Sequence, residues 1–315
     1  MKPSIRSTFL AGAAILLGLH SAFLQADILY VANGSTDSID RFPSNGIGSI
    51  FASSGLDFPS GLAFDSAGNL YASNLFNNII EKFTPDGVGS LFATTGPTGS
   101  SGSTGLAFDS AGNLYVANIN FDTIQKITPQ GVTTVFATGL SNPTGLAFDL
   151  AGNLYVANAS NNTIQRFDPS GSGSLFASTG VNGPFGLAFD MTGNLFVVNN
   201  GSNSIAKFTP NGIGSVFATS GLNSPVGLAF DSGGNLYTGN NGGLQSIIKF
   251  TPGGIGSVFA NTGVHVPQFL AFTDDAGVPL KLPPDMVIPE PSTWTMLGLG
   301  LPALLGMRRR HRSAV

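Results

Sequence analysis

The chain contains no cysteine. That removes disulfides, thiolate metal sites and a thiol nucleophile together, so the fold must hold by packing alone. A unit of about 250 residues buries enough surface to do so. Charge is scarce too. Only 10% of the 315 residues are Asp, Glu, Lys or Arg, against about 25% in an ordinary domain. The polar surface must come from Ser, Thr, Asn and Gly, a composition that suits an exported protein better than a cytosolic one. Between residues 27 and 287 there is one histidine, His265, and one glutamate, Glu81. One histidine without cysteine cannot build the usual zinc ligand sets. A Ser-His-Asp triad would have to use His265, and no G-x-S-x-G elbow stands in the chain. The same stretch holds seven basic residues against 16 acidic ones, a balance near −9. A phosphate backbone would be repelled, which argues against nucleic-acid binding.

What is present repeats. A GLAFD block starts at Gly61, Gly105, Gly145, Gly186 and Gly227, and a worn copy, FLAFT, at Phe269, in steps of 44, 40, 41, 41 and 42 residues. Such a period, with several short strands inside it, marks a β-propeller blade. Each period holds four strand-like runs, LAFD, NLYVAN, SIxKF and GSxFA, separated by clusters of Gly, Pro, Asn and Asp. DSAGN (Asp65–Asn69) reads as a tight hairpin turn, with Asp accepting a nearby amide and Gly supplying positive φ. TPDG (Thr84–Gly87) reads as a second turn with Pro presetting φ. Seventeen of the 25 Phe fall in three repeat slots, and all five Tyr fall in a fourth. This predicts rings stacked between blades as the core, each buried Phe contributing roughly 1.5–3 kcal/mol. The small Gly-x-Ala face of LAFD suits the innermost strand. The six repeat cations, Arg41, Lys82, Lys126, Arg166, Lys207 and Lys249, read as solvated edge charges that discourage strand addition.

The last three strand types begin one copy early, at Ile28, whereas the first ends one copy late, at Phe269. The chain therefore opens with three strands of a blade and closes with the missing one. The strand near Leu270 should pair with the strand near Leu29 and complete the sixth blade. The fold expected is all-β: a six-bladed propeller of four-stranded blades over residues 27–277. The consensus P-x-GLAFD-x-x-GNLYVAN-x-x-x-NTIxKF-x-P-x-G resembles the NHL repeat over about Ile28–Asp275. It is similar, more loosely, to the gluconolactonase-like propellers. Those folds include lactonases, lyases and pure binding scaffolds, so the resemblance implies fold more than function. The single Trp294 lies outside the repeats, and no blade has a WD-type signature.

Residues 1–26 read as a secretory signal peptide: Lys2 and Arg6, the apolar run Phe9–Leu19, and Ala26 at the cleavage position. Eleven apolar residues are too few for a hydrocarbon core of about 30 Å, which disfavours a retained anchor. Residues 278–287 form a Pro-rich linker. Then follow IPEPST, the apolar run 294–307 and the cluster RRRHR. Fourteen helical residues rise about 21 Å, short for a permanent span, and the arginines would stay cytoplasmic. Residues 288–315 resemble a PEP-CTERM sorting signal. The resemblance implies transient anchoring in the inner membrane and processing by an exosortase-type enzyme near Pro289, Glu290 and Pro291. It also implies release to the cell surface or an extracellular matrix. A plain C-terminal tail anchor is the alternative.

Three features between the termini could meet a ligand. One asparagine per blade ends the second strand: Asn33, Asn74, Asn118, Asn158, Asn199 and Asn240. This ring either offers amides to sugar hydroxyls or caps its own turns. His265, in a VHVP loop, either faces the channel mouth or lies on the surface. The carboxylates Asp65, Asp109, Asp149, Asp190 and Asp231, with Thr273 as sixth member, either converge on Ca²⁺ or serve their own D-x-x-G-N turns. No other cofactor is expected. The near-identity of the blades favours a non-catalytic module for an exopolysaccharide, another glycan or a surface protein. A gluconolactonase-like or lyase-like enzyme with a metal at the channel mouth is the alternative, and an inert matrix spacer is the third.

Overall fold

The structure is a computed structural model and describes residues 27–97, 100–261, 264–274 and 277–280. The expected leader, with Ala26, and the sorting segment, with Pro289, Glu290 and Pro291, lie outside the described residues. Among those described there is no helix long and apolar enough to cross a membrane.

Twenty-four strands form six separate four-stranded antiparallel sheets, arranged as the blades of a ring. Blade 2 is representative. Its inner strand is Pro59–Phe64, followed outwards by Leu70–Asn74, Ile79–Phe83 and Gly89–Thr94. Blade 1 mixes the two ends of the chain: Pro267–Thr273 is its inner strand, then Ile28–Asn33, Ser38–Phe42 and Ser49–Ala52. Leu29 pairs with Phe272 and Val31 with Leu270, which is the three-plus-one closure expected. Asp27 ties blade 1 to blade 6, accepting the Ser232 amide at 2.7 Å and its hydroxyl at 2.8 Å.

The inner strands carry Gly because they crowd the axis. A Cβ on Gly145 would overlap the carbonyl oxygen of Phe185 in the next blade, and Gly61 and Gly105 face Thr104 and Thr144 in the same way. The aromatic core differs from the stack expected. Tyr71 meets Phe92 of its own blade and Phe108 of the next at 4.9 and 5.0 Å, with interplanar angles of 86° and 76°. The same edge-to-face triad recurs around Tyr30, Tyr115, Tyr155, Phe196 and Tyr237. Edge-to-face contact sets the positive ring edge against the negative face, which face-to-face stacking does not.

The ring has two unlike faces. One carries the loops that enter each inner strand and those that leave each second strand. The other carries the D-x-x-G-N and T-P-x-G turns. In blade 1 the turn survives with Asp274 in the aspartate's place: Asp274 exchanges backbone hydrogen bonds with Val278 and Gly277, as Asp231 does with Asn235 and Gly234. The inner strand there is one residue longer, seven against six, so the aligned Thr273 is not the functional equivalent. The chain then folds back on that strand. Thr273 bridges Pro279, and the Leu280 amide donates to Phe272. Val278–Leu280, three residues assigned to the linker on sequence, thus lie against the ring.

Candidate functional site

The asparagine ring sits at the loop face but below its surface. All six are between 0 and 4% exposed. Asn74 accepts the Asp57 amide at 3.2 Å through Oδ1 and donates from Nδ2 to the Gly55 carbonyl at 2.8 Å. Asn199 holds Asn182 and Gly180 likewise, and Asn240 holds Asn223 and Gly221. Asn33 accepts from His265, Asn158 from Ser141, and Asn118 donates to Thr95. The ring is buried rather than turned outward, and two members also bond across their own loops, Asn158 to Thr163 and Asn240 to Ser246. Each amide clasps the loop that brings the chain into its blade. Asn is suited to this because one planar group both donates and accepts.

A second ring, not anticipated, grips the same loops from the preceding blade. Asp37, Asn78, Asp122, Asn162 and Asn203 stand with φ between 48° and 57°. Each accepts a backbone amide of the next loop at 2.6–3.0 Å: Phe58, Ser103, Asn142, Gly183 and Ser224. Asp and Asn tolerate this left-handed conformation better than other side-chain-bearing residues. The signal was in the sequence, an Asx just before the third strand of five of the six blades (Gln245 in blade 6), but it was hidden within polar loop text.

His265 is exposed at this face, and its backbone amide holds Asn33. Its charge acts on Asp40. Burial pushes the Asp40 carboxyl up, while a hydrogen bond from Ser38 at 3.1 Å and His265 draw it part of the way back. Glu81 occupies the same register position in blade 2, and burial raises its carboxyl too. In blades 3 to 6 that position is Gln125, Gln165, Ala206 and Ile248. With Ala206 the packing thins, and a hollow of about 500 Å³ opens between blades 4 and 5, lined by Asn182, Asn199, Ser204 and Val216 among others.

The larger concavity, about 710 Å³, is on the opposite face. It spans the turn-side mouth of the channel and the lower edge of blades 5 and 6. Phe64, Phe189, Phe196, Phe217, Phe230 and Phe272 supply its rings, and Met191, Pro252 and Leu280 its aliphatic wall. Asp190 and Lys207 face it as an ion pair at 3.4 Å.

The aspartates of this face are engaged in their own turns. Asp65 Oδ1 accepts the amides of Ala67 and Asn69, both at 2.9 Å, while Oδ2 accepts Asn69 Nδ2 at 2.8 Å and faces Lys82 at 3.8 Å. Burial alone would raise the carboxyls of Asp65 and Asp190. The hydrogen bonds from Asn69 and Asn194, with the neighbouring turn amides, outweigh it and hold both below the usual range. Among the described residues no three His, Cys, Asp or Glu side chains converge. A cation wanting six to eight oxygens finds each carboxylate already engaged in its own turn.

The lysines depart from expectation. Lys82, Lys126, Lys207 and Lys249 are not free edge charges. Each lies over a ring of the second strand at 5.1–5.3 Å and pairs with its blade's turn aspartate at 3.4–3.8 Å. Tyr237 joins one such group by donating to Asp231 at 3.1 Å. Its phenol is pushed well above the ordinary range by burial first, then by Asp231 and Asp27.

No family model matches the sequence, and no curated protein matches it. Solved structures do. A chain of a nidogen/laminin complex aligns with a TM-score of 0.70 at 21% identity, over 78% of this chain and 98% of that one. Virginiamycin B lyase from Staphylococcus aureus aligns with a TM-score of 0.61 at 19% identity, over 78% and 88%. A gluconolactonase from Xanthomonas campestris gives 0.58 at 19% identity, over 69% and 82%. Likeness at this identity is likeness of fold. The chain is a six-bladed β-propeller resembling NHL-type propellers, a fold shared by binding modules and enzymes alike.

Proposed function

We propose that this chain is an exported, non-catalytic binding propeller of the cell surface or extracellular matrix, taking a glycan or a protein at the turn-side channel mouth. The carrying observation is the chemistry of that mouth. Six phenylalanine rings, Met191 and Leu280 line it, and its charged side chains are held in ion pairs, Asp190 with Lys207 and Asp231 with Lys249. Aromatic faces beside a few fixed polar groups suit a sugar ring or an apolar side chain. The terminal segments support the destination: a leader ending at Ala26, and a sorting segment offering Pro289, Glu290 and Pro291 to an exosortase-type enzyme after transient membrane anchoring.

The test is co-sedimentation of the protein with the producing organism's extracellular polysaccharide, with and without Ca²⁺. Saturable binding that Phe189→Ala weakens supports the glycan reading. Absence of binding in both conditions moves the site to a protein partner. A second reading is a gluconolactonase-like or lyase-like enzyme. Its support is the cavity's size, which falls within the roughly 300–1,000 Å³ of small-molecule sites. Turnover in a lactone-hydrolysis screen would establish it and displace the first.

A further inference from the structure

The described residues leave 17 large apolar side chains exposed, and the two faces share them unequally. The loop face has three, Phe76, Phe121 and Leu244, and six sit on the outer strands. The turn face has eight. Ile47, Val88, Val132, Ile213 and Ile255 each follow a turn glycine in blades 1, 2, 3, 5 and 6, and are 58–73% exposed. Blade 4 has Ser172 in that slot. Leu150, Met191 and Val278 stand further in, on the turns that leave the inner strands. The apolar cavity opens on the same face. Single exposed apolar residues need no explanation, but a set of them spread over one face marks an interaction surface.

The course of the chain indicates what that surface meets. Ile28–Asn33 runs from the turn face to the loop face, so the segment before it arrives on the turn side. There Asp27 holds Ser232, which belongs to the cavity wall. After the inner strand of blade 1 the chain turns at Asp274 and reaches Leu280, in the same wall. Both apolar runs of the sequence, 9–19 and 294–307, are therefore joined to the ring on its turn side. Thirteen residues, 281–293, separate Leu280 from the second run, and even fully extended they reach about 45 Å.

We propose that the turn face docks on a lipid surface while residues 294–307 hold the chain in a membrane. The proposal rests on the reading of that run as an anchor. The aliphatic ring would enter the boundary between headgroups and acyl chains, as the apolar side of an interfacial helix does. The attraction is apolar. The four lysines of this face are paired with turn aspartates, Asp86 stands exposed at its rim, and the ring as a whole is acidic. Anionic headgroups therefore gain nothing from it. Each side chain contributes little, but the tether makes the contact intramolecular and raises its effective concentration. Docked in this way, the turn-side mouth faces the bilayer, and its ligand gains entry when the tether is cut.

The absence of cysteine allows a single spin label to be placed cleanly. The full chain, carrying Gln130→Cys beside Val132 or Ser160→Cys on the loop face, is labelled and reconstituted into phosphatidylcholine vesicles. Collision with a neutral nickel chelate, present on both sides of the bilayer, is read by electron paramagnetic resonance. The turn-face label should be about threefold less accessible than the loop-face label, and should stay so in about 1 M salt. Val88→Asp, Val132→Asp, Ile213→Asp and Ile255→Asp together should equalise the two labels while the chain still floats with the vesicles. All four sites are exposed, so the melting temperature should stay within about 2 °C of wild type, and the wild-type comparison needs no such variant. Equal access in a wild-type chain that floats would overturn docking and leave the anchor standing. A chain that does not float would overturn both. Protection that survives the four substitutions, that salt removes, or that arises only with phosphatidylglycerol would overturn the apolar contact.

Discussion

The two faces of the ring are held by hydrogen bonds of different reach. On the loop face, side chains bond to backbone 17–25 residues away, tying one blade to the next. On the turn face, Asp65 and its counterparts bond to backbone only within four residues, and their longer contacts, to the lysine and tyrosine above them, stay inside the same blade. The difference shows where the repeat is constrained. A loop-face amide cannot change without loosening a neighbour, so it is repeated in every blade. A self-sufficient turn leaves the adjoining channel mouth free to vary, and there Met191, Pro252 and Leu280 break the symmetry and shape the larger cavity.

The strongest perturbation removes the space both faces share. Gly145→Ala places a methyl group against the Phe185 carbonyl, where only backbone can move. It should destabilise the protein by about 3 kcal/mol, the upper end for overpacking, read as a fall in the urea midpoint.

Next in size is the comparison itself. Asn199→Ala strands the Asn182 amide and the Gly180 carbonyl across a blade junction, and should cost about 2 kcal/mol. Asn194→Ala removes bonds only within its turn and should cost about half as much. Equal losses in chemical denaturation would abolish the distinction between the faces.

Two pH experiments sharpen it further. Asp190 has a depressed carboxyl, so its contribution is present above the unfolded pKa of about 3.9 and is lost as pH falls through the lower folded value. Asp190→Asn should melt earlier than wild type at pH 7, by an amount worth about 1 kcal/mol, and the gap should close near pH 2. Glu81, on the loop-face side, has the opposite sign. Its raised carboxyl binds its proton more tightly when folded, so stability falls as pH rises through that range. Glu81→Gln should therefore melt slightly higher than wild type at pH 7 and match it below about pH 4.

Much of the architecture was legible in the chain, because period and aromatic slot recur in sequence as they do in space. Strand order, ring closure and both turn types followed from residues such as Gly145, Asp65 and Pro85. The contacts that cross blades were harder to see. Nothing in NLYVAN tells whether its last Asn looks outward or grips a loop 17 residues earlier, since that depends on where the loop lands. The lysines were misjudged for the same reason. Lys82 and Asp65 are 17 residues apart in sequence, and only the folded blade brings the cation over Tyr71. The cavity could not be read at all, because Leu280 reaches it by a fold-back after the repeats have ended.

The seam in blade 1 also sets an order of events. Leu29 and Phe272 are neighbours across one hydrogen-bonded ladder, yet more than 240 residues separate them along the chain. Contacts of such sequence separation are slow to form, because the loop they close must be gathered first. Blades 2 to 6 can each be assembled from contiguous chain as it emerges. Blade 1 cannot, since its inner strand is among the last to arrive. Until then Ile28–Asn33 has a partner on one side only. A chain that crosses a membrane amino end first would reach the far side as an open arc and become a ring only after the crossing is nearly finished. Closure is thus the last event of folding, and the finished, rigid form exists only once the whole repeat array is available.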